Sequence, residues 1–374
     1  MNRRYPLAKP DITQKEIAAV TKILQSGVLS IGPAQEEFER RFAAKVGTKY
    51  AVAVSSGTAG LHLCMLAAKI GSEEEVITTP FSFVASANVI LYVGAKPIFA
   101  DIDPLTYNID PKKIEEKITP KTKALLVVHI FGQAADMDPI IKIAKKHNLK
   151  IIEDACESLG ATYHGKKVGT FGESAVFAFY PNKQITTGEG GMIVTNNKEI
   201  YELGLSLRNQ GRSQDMQWLE HERLGYNYRM DEMSAALGLA QLKRLDKLIQ
   251  KRQTLAKIYE RNLSPFPEFL QTPQTPENNS HTWFLYVVRL KNASYRDSVI
   301  RDLYKLGIES KSYLPSIHLL KFYRDRFGFR EGNFPISEKI SKSTLALPFH
   351  TSLKENDVKH IVKQLIKIIQ NYDK

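Results

Sequence analysis

The chain has 374 residues, 43% of them hydrophobic and 25% charged, and its formal net charge is +12. These values are typical of a soluble globular protein with room for two hydrophobic cores. No apolar run approaches the ~20 residues that span a bilayer, no signal peptide is apparent, and the two cysteines, Cys64 and Cys156, lie in separate apolar neighbourhoods. We therefore expect a cytoplasmic protein without a transmembrane segment, a structural disulfide or a metal site.

The positive charge does not by itself indicate nucleic-acid binding. The lysines are spread along amphipathic helical stretches, for instance in residues 142–146, 243–251 and 359–367. The sequence shows neither a dense basic block nor the alternation of basic and aromatic residues that binds single strands. We interpret the charge as a solvated surface with some attraction for an anionic small substrate, and we predict no nucleic-acid partner.

Short apolar runs alternate with helical periods through the first two thirds of the chain. Seven of these runs predict strands, and they cover residues 50–54, 75–78, 97–100, 124–129, 150–153, 174–179 and 192–195. Helical periods lie between many of them, as in residues 59–69 and 140–147. The pattern predicts an α/β fold with a mostly parallel sheet, in which ligands bind outside the carboxyl ends of the strands.

The remainder of the chain predicts a smaller α+β domain. A long amphipathic helix is predicted over about residues 231–262, and Pro265 and Pro267 end it. Beyond it, residues 282–288 predict a strand, and residues 295–306 and 355–372 predict helices. The predicted domains are a large α/β domain over residues 1–245 and a small C-terminal α+β domain over residues 246–374.

Two of the predicted strand ends carry residues that suit a binding site. Residues 55–59, Ser-Ser-Gly-Thr-Ala, join a strand to a helix whose first N–H groups can bind an anion, most naturally a phosphate. A helix N-cap with a tight turn is the alternative. Glu153 and Asp154 end another strand, and because side chains alternate along a strand, only one of the two can point into a site above the sheet. A solvent-facing Asp that caps the next helix is the alternative there.

Lys183 follows the next predicted strand and precedes Gly188, Gly190 and Gly191. A surface lysine does not need to lie between a buried strand and a group of glycines. A nucleophilic lysine, by contrast, must be shielded from water enough for its amine to be neutral part of the time. A phosphate cup, a buried acid and a lysine on neighbouring strand ends are together what pyridoxal 5′-phosphate (PLP) requires. The lysine bonds its aldehyde, the acid pairs with its pyridinium nitrogen, and the helix N-terminus holds its phosphate.

Over nearly its whole length the chain resembles the DegT/DnrJ/EryC1/StrS family of PLP-dependent sugar aminotransferases, within fold type I. The motifs that carry the resemblance include Ser56-Gly57-Thr58-Ala59, Asp101-Ile102-Asp103, Glu153-Asp154-Ala155, Thr187-Gly188-Glu189-Gly190-Gly191 and Gly225-Tyr226-Asn227-Tyr228-Arg229-Met230. The resemblance implies a large domain with a mostly parallel seven-stranded sheet, a smaller C-terminal domain, and a homodimer with shared active sites.

The resemblance also implies roles for single residues. Lys183 is the lysine that forms a Schiff base with the cofactor, and Asp154 faces its ring nitrogen. The remaining cofactor contacts are Gly57 and Thr58 at the phosphate, Phe83 stacked on the ring, Glu157 near the ring hydroxyl, and Asn227 reaching the phosphate from the other subunit. Tyr313 and His318 match the family's substrate-side segment.

Several of these positions have an ordinary structural alternative. Phe83 is also compatible with a core aromatic, Asn227 with a turn asparagine, and Tyr313 and His318 with simple packing. The chain departs from many relatives at Ala178, where they have a phosphate-binding serine. It also departs at Glu157, where they have Gln or His.

The function that the resemblance implies is transfer of the amino group of L-glutamate to a keto group of a nucleotide-linked (deoxy)sugar. Such a reaction supplies amino sugars for cell-surface glycans or related products. A PLP-dependent sugar dehydratase of the same family is one alternative, but in those enzymes histidine replaces the lysine. A catalytically silent regulatory protein of this fold is another, and it is expected to lose Lys183 or Asp154, both of which are present.

Overall fold

The structure, a computed structural model, describes residues 4–213 and 220–373. The strands are β1 (Tyr50–Val54), β2 (Glu75–Thr78), β3 (Lys96–Phe99), β4 (Thr122–Val128), β5 (Lys150–Asp154), β6 (Thr162–Tyr163), β7 (Lys166–Lys167), β8 (Ser174–Ala178), β9 (Gly191–Thr195), β10 (Leu270–Gln271), β11 (Tyr286–Leu290) and β12 (Thr344–Leu347). The helices are α1 (Gln14–Ser26), α2 (Pro33–Val46), α3 (Gly57–Ala67), α4 (Ala85–Tyr92), α5 (Pro111–Glu115), α6 (Met137–Lys146), α7 (Lys198–Arg208), α8 (Glu232–Leu242), α9 (Leu245–Leu263), α10 (Arg296–Lys305), α11 (Lys321–Phe327), α12 (Pro335–Ser343) and α13 (Glu355–Tyr372). Within the described ranges, no helix combines the length and the apolar character needed to cross a membrane.

Seven strands form one sheet in the order β1-β9-β8-β5-β4-β2-β3. Strand β9 is antiparallel to both of its neighbours, and the other pairings in this sheet are parallel. The prediction of an α/β fold with a mostly parallel seven-stranded sheet is therefore confirmed. Because β9 runs against the rest, its amino end lies at the same edge as the carboxyl ends of β1, β5 and β8.

Helices cover both faces of this sheet, which explains why its strands are apolar throughout. On one face, α2 packs Phe38 and Phe42 against the end of β8, with the ring centroids of Phe42 and Phe177 5.3 Å apart. On the other face, α3 is apolar nearly all round, and its residues from Gly57 to Met65 are buried except Thr58, which is half-buried. A helix buried in this way is fixed in position, so its first turn is also fixed relative to the strand ends.

The C-terminal part of the chain builds an antiparallel sheet in the order β10-β11-β12. The strand predicted over residues 282–288 begins later, at Tyr286, because the preceding residues bond to another loop: Thr282 N donates to Gly132 O at 2.9 Å and Phe284 N to Phe131 O at 2.9 Å. Gly132 has φ +103°, and a Cβ there would lie 2.6 Å from Trp283 N. Only glycine allows the two segments to approach so closely.

The long helix predicted over residues 231–262 is two helices, α8 and α9, separated by Lys243 and Arg244. At this break the Arg244 guanidinium is held by two carboxylates, Asp11 Oδ1 at 2.5 Å and Glu16 Oε1 at 2.6 Å. Both acids belong to the N-terminal segment, 228 or more residues away in sequence. A pattern of apolar positions on the helix itself contains no sign of such a partner.

The predicted domain boundary after residue 245 falls at the first residues of α9. The start of α9 packs into the core beside the large sheet through Leu245 and Leu248, and its end packs under the small sheet through Tyr259 and Leu263. The N-terminal segment also reaches the small sheet's core, since Tyr5 is buried there and forms a bridge with Ile308. The division into residues 1–245 and 246–374 stays a prediction.

Glu153 is a fully buried carboxylate on β5 that holds the following loop in place. Its Oε1 accepts from Phe171 N at 2.7 Å and Gly172 N at 2.8 Å, while its Oε2 accepts from Gly169 N at 2.8 Å and lies 3.0 Å from His129 Nε2. A buried charge is tolerated when its oxygens are saturated in this way. Of the two acids at this strand end, Glu153 is thus the structural one.

We predict that Glu153→Ala lowers the free energy of unfolding by about 3 kcal/mol, because it leaves three backbone N–H groups without acceptors. Chemical denaturation monitored by circular dichroism measures the change. Glu173→Ala, at an exposed position beside the same loop, is the control and should stay within about 0.5 kcal/mol of the wild type. Equal stability of the two variants would contradict this account of Glu153.

Candidate functional site

A cavity of about 490 Å³ lies at the sheet edge where β1, β5 and β8 end. Seven of the nine residues singled out from the sequence line it: Gly57, Thr58, Phe83, Asp154, Glu157, Lys183 and Tyr313. These residues come from five separate segments, and the carboxyl ends of the parallel strands bring most of them together. The other two, Asn227 and His318, are placed elsewhere.

The first turn of α3 forms one wall of the cavity. Its N-cap is Ser56, whose Oγ accepts from Ala59 N at 3.1 Å, and the helix proper begins at Gly57. The N–H groups of a first turn have no acceptor within the helix and carry partial positive charge. The segment is therefore the N-capped turn of the alternative, and Gly57 and Thr58 also line the cavity. Binding of an anion by their amides stays a prediction.

Close packing of glycines shapes this wall. A Cβ on Gly191, the first residue of β9, would lie 2.6 Å from the carbonyl carbon and oxygen of Ser56. A Cβ on Gly57 would lie 2.8 Å from Cβ of Ala178 and 2.9 Å from Sγ of Cys156. The methyl group of Ala178 therefore packs directly over Gly57, at the position where the family resemblance implies a serine.

Asp154 is the acid that faces the cavity, as the alternation along β5 predicts for one of the pair. Its Oδ2 accepts from Ser86 Oγ at 2.7 Å, and its Oδ1 accepts from Cys156 N at 3.2 Å. Ser86 in turn lies 2.9 Å, Oγ to Oγ, from Ser82. These bonds fix the carboxylate without pairing it to a cation, so it remains able to bind a cationic group in the cavity.

Ser86 is a site residue that sequence analysis did not find. It lies in α4, and nothing in its local sequence distinguishes it from any other small polar residue on a helix. Only the packing of α4 beside β5 brings its hydroxyl to Asp154. Phe284 was missed for a similar reason, because it lies within a run that predicted an ordinary strand.

Lys183 lies in the loop that joins β8 to β9, where its backbone N donates to Tyr180 O at 2.9 Å. Its side chain is only 13% exposed. The Nζ atom lies 3.4 Å from Glu157 Oε1 and 3.9 Å from the centre of the Phe284 ring. The amine therefore lies between a carboxylate and an aromatic face, largely out of water.

Glu157 is buried and forms hydrogen bonds on two sides. Besides Lys183, it accepts from Phe131 N at 2.9 Å through Oε2. Burial raises the pKa of Glu157 above its usual value, and the nearby Lys183 ammonium opposes that shift. Burial likewise raises the pKa of the Cys156 thiol well above its usual value. Cys156 is therefore a neutral part of the wall, whereas Glu157 and Lys183 lie within hydrogen-bonding distance of each other.

Phe83 is 62% exposed and forms part of the cavity wall. A core aromatic would be buried, so this placement favours a ligand-facing role for the ring. Tyr313 also lines the cavity, and its ring packs edge-on against Phe131 and Phe284. Burial raises the pKa of Tyr313, so its hydroxyl is protonated and can donate a hydrogen bond.

His318 does not reach the cavity. Its side chain is fully buried between Phe329 and Phe334, and its Nε2 lies 3.0 Å from Glu338 Oε1. The substrate contact predicted for His318 is not supported by this placement, because a ring enclosed on all sides can't meet a ligand there. The packing alternative describes it better.

Asn227 is exposed and lies outside the cavity of its own chain. Its segment is tied to the end of α7, where Asn209 and Asn227 form an antiparallel bridge and Tyr228 N donates to Arg208 O at 2.9 Å. An exposed amide on a fixed segment is available to a second chain. The predicted contact with the partner's cofactor stays a prediction.

The residues present fit a flat, phosphorylated aldehyde such as PLP. Glycine at positions 57 and 191 leaves room for backbone amides to approach an anion, Asp154 offers a fixed carboxylate, and Phe83 offers an exposed ring. Lys183 supplies an amine within the same cavity. A phosphate, a ring nitrogen, a planar ring and an aldehyde each find a suited group here.

Comparison with known proteins agrees with this geometry. The model of the DegT/DnrJ/EryC1/StrS aminotransferase family matches residues 10–366. The spore coat polysaccharide biosynthesis protein SpsC of Bacillus subtilis is 38% identical, covering 100% of this chain and 99% of its own. The GDP-perosamine synthase of Caulobacter vibrioides is 39% identical, covering 98% of each chain.

Solved structures show the same fold with bound cofactor. The Streptomyces venezuelae protein DesV, solved in complex with a ketimine intermediate, superposes with a TM-score of 0.90 at 34% identity and covers 96% of this chain and 95% of its own. The PLP form of a Streptococcus pneumoniae putative sugar aminotransferase superposes with a TM-score of 0.93 at 28% identity, covering 98% of each chain.

We predict that Gly191→Ala weakens PLP binding at least about tenfold, because the added methyl group must push Ser56 and the first turn of α3 away from their position. Titration of the purified protein with PLP, followed by its visible absorption, measures the affinity. Gly71→Ala is the matched control, since a Cβ there meets nothing within 4 Å. Unchanged affinity in the Gly191 variant would show that the close contact does not shape the phosphate site.

Proposed function

Because the chain belongs to the DegT/DnrJ/EryC1/StrS family and is a PLP-dependent sugar aminotransferase, we propose that it moves the amino group of L-glutamate to a keto group of a nucleotide-linked (deoxy)sugar. The observation that carries the proposal is the position of Lys183. Its amine shares one cavity with the Asp154 carboxylate and the first turn of α3, and it lies 3.4 Å from Glu157.

When bound, PLP supplies an aldehyde that can bond an amine and a ring that accepts electrons from that bond. The chain's own residues would bind the cofactor and transfer protons during the reaction. The amides of Gly57 and Thr58 would bind the phosphate, Asp154 would pair with the ring nitrogen, and Phe83 would cover the ring. Glu157, whose Oε1 lies 3.4 Å from Lys183 Nζ, would be the residue near the ring hydroxyl.

Lys183 acts in two ways. Its amine would hold the cofactor through the aldehyde. Nζ would also carry the proton that amino transfer removes from Cα of the donor and delivers to the keto carbon of the acceptor. The neighbouring carboxylate of Glu157 would bind the amine between these transfers.

The substrate assignment rests on the family and on the cavity wall. GDP-perosamine synthase acts, by its name, in the formation of a nucleotide-linked amino sugar, and SpsC is named for polysaccharide biosynthesis. Tyr313 offers a protonated hydroxyl at the cavity wall, suited to a sugar oxygen. The net charge of +12 favours the approach of a nucleotide diphosphate. Both cysteines are free, which fits a cytoplasmic protein.

We predict that Lys183→Ala lowers the turnover of amino transfer at least roughly 10³-fold, since both the covalent attachment and the proton transfer depend on this amine. Release of 2-oxoglutarate from L-glutamate, in the presence of a panel of keto-sugar nucleotides, measures turnover. Lys198→Ala, at a position whose side chain is 73% exposed, should behave as the wild type. A Lys183→Ala variant that retains activity would remove the lysine from the mechanism.

We further propose that the protein is a homodimer in which Asn227 of one chain completes the phosphate site of the other. A complementation experiment tests this arrangement. Dimers of Lys183→Ala have no working site, and dimers of Asn227→Ala have two weakened ones. A mixed dimer has one of its two sites with both residues intact, so the isolated mixed dimer should have about half of the wild-type activity.

The restoration is measured at a limiting PLP concentration after co-expression of the two differently tagged variants and isolation of the doubly tagged species. Activity in that species no higher than in Asn227→Ala alone would contradict a shared site. Light scattering on the wild type checks the dimer itself.

A further inference from the structure

The guanidinium of Arg252 lies in the middle of α9 and is buried, with 5% of the residue exposed. Its Nη2 donates to the backbone oxygen of Lys183 at 3.2 Å. Its Nη1 donates to the backbone oxygens of Trp283 at 3.0 Å and Phe284 at 3.3 Å. The one charged group thus binds the carbonyl of the lysine and the carbonyl of the aromatic residue whose ring contacts that lysine's Nζ.

No carboxylate in the described part of the chain lies within 4.0 Å of this guanidinium. Its Nε also finds no hydrogen-bond partner among the described residues. Burial lowers the pKa of Arg252 to about 10, and Asp11 only partly opposes that shift. A buried cation that has carbonyls but no carboxylate is costly to the fold. Charges of this kind are frequent where a nearby group must be tuned.

The contacts of Arg252 continue to both neighbours of the lysine amine. Phe284 places its ring 3.9 Å from Lys183 Nζ, and its N–H donates to Phe131 O. The N–H of Phe131 donates to Glu157 Oε2, and Glu157 Oε1 lies 3.4 Å from the same Nζ. Arg252 therefore holds the backbone of the lysine and the backbone of Phe284, the residue whose ring contacts the amine.

We propose that Arg252 is a positioning residue for Lys183: it fixes the backbone of the lysine and the ring of Phe284, and its positive charge favours the neutral form of the amine. The proposal rests on the proposed role of Lys183. An amine that must act as a base gains from a buried cation nearby, since that cation disfavours a second positive charge.

Other charged groups act on the same amine or on Arg252. Glu157, from the loop after β5, places its carboxyl 3.4 Å from the amine, and Asp154 lines the same cavity, while the thiol of Cys156 and the hydroxyl of Tyr313 are neutral. On the far side of Arg252, Asp11 is already paired with Arg244 and Lys251. The remaining groups on that side are Lys9 and His350, and burial lowers the pKa of His350 to about 4, so it carries no charge.

The test measures the pKa of Lys183 Nζ directly, on the full chain and without cofactor. Trace labelling with acetic anhydride at a series of pH values, followed by mass spectrometry of the Lys183 peptide, reports the fraction of neutral amine. The variants are Arg252→Gln, which removes the charge, and Arg252→Lys, which keeps the charge but not the fork of donors. Arg261→Gln, on the same helix with a side chain 63% exposed, is the control.

We expect the labelling midpoint of Lys183 to rise by roughly one pH unit in Arg252→Gln, and to stay within about 0.3 units of the wild type in Arg252→Lys and Arg261→Gln. We also expect Arg252→Lys to raise the limiting labelling rate at high pH about threefold, because the lysine backbone is less firmly held. A midpoint that does not rise in Arg252→Gln overturns the proposal.

The lysine variant keeps the proposal testable if the glutamine variant fails to fold. A midpoint in Arg252→Lys raised by a full unit would exclude the charge as the cause, and an unchanged limiting rate would exclude the positioning role. Failure of the proposed function is distinguished by a separate observation, since it would appear as absence of 2-oxoglutarate release by the wild type whatever the labelling midpoints are.

Discussion

The structure depends on keeping one lysine amine largely out of water within reach of a carboxylate. Lys183 Nζ has Glu157 on one side and the face of Phe284 on the other. Neither neighbour is close in sequence, so the arrangement requires the loop after β5, the loop after β8 and the segment before β11 to meet at one point. The Phe131–Gly132 turn joins them, because its backbone groups bond both to Glu157 and to residues 282–284. The position of the Lys183 side chain therefore depends on both the core of the large sheet and the core of the small sheet.

Two adjacent acids show how strand geometry separates structure from chemistry. Glu153 and Asp154 differ by one position on β5, so they point to opposite faces. Glu153 takes three backbone N–H groups and a histidine, which leaves it no capacity for a ligand. Asp154 takes only a serine hydroxyl and one N–H, and it faces the cavity. Of these two carboxylates, Glu153 thus holds the loop on one side of the sheet, and Asp154 is free to make the proposed cofactor contact on the other.

Much of the fold could be predicted from the sequence, because local patterns determine it. The continuous apolar runs identified all seven strands of the large sheet to within about two residues, and α13 has the predicted bounds. What could not be predicted depends on distant partners. The break before α9 coincides with acids in the N-terminal segment, and the late start of β11 depends on a turn near residue 132. His318 resembled a site residue in its sequence context, yet packing against Phe329 and Phe334 encloses it. Ser86, Phe284 and Arg252 carry no local signal at all, since each matters only through a residue far away in sequence.

Backbone hydrogen bonds hold together the two ends of the loop that carries Lys183. Ala178 pairs with Gly191 in the ladder between β8 and β9, Phe179 N donates to Gly190 O, and Thr187 N donates to Phe179 O. The number of residues between these two fixed ends therefore determines where Lys183 lies. An added or lost residue in this stretch must either shift β9 by one position, which turns its buried side chains to the wrong face, or move the amine away from Glu157. Homologous chains that keep this lysine chemistry should therefore vary in sequence between the two strands but not in the number of residues, while insertions gather in loops at the opposite edge of the sheet.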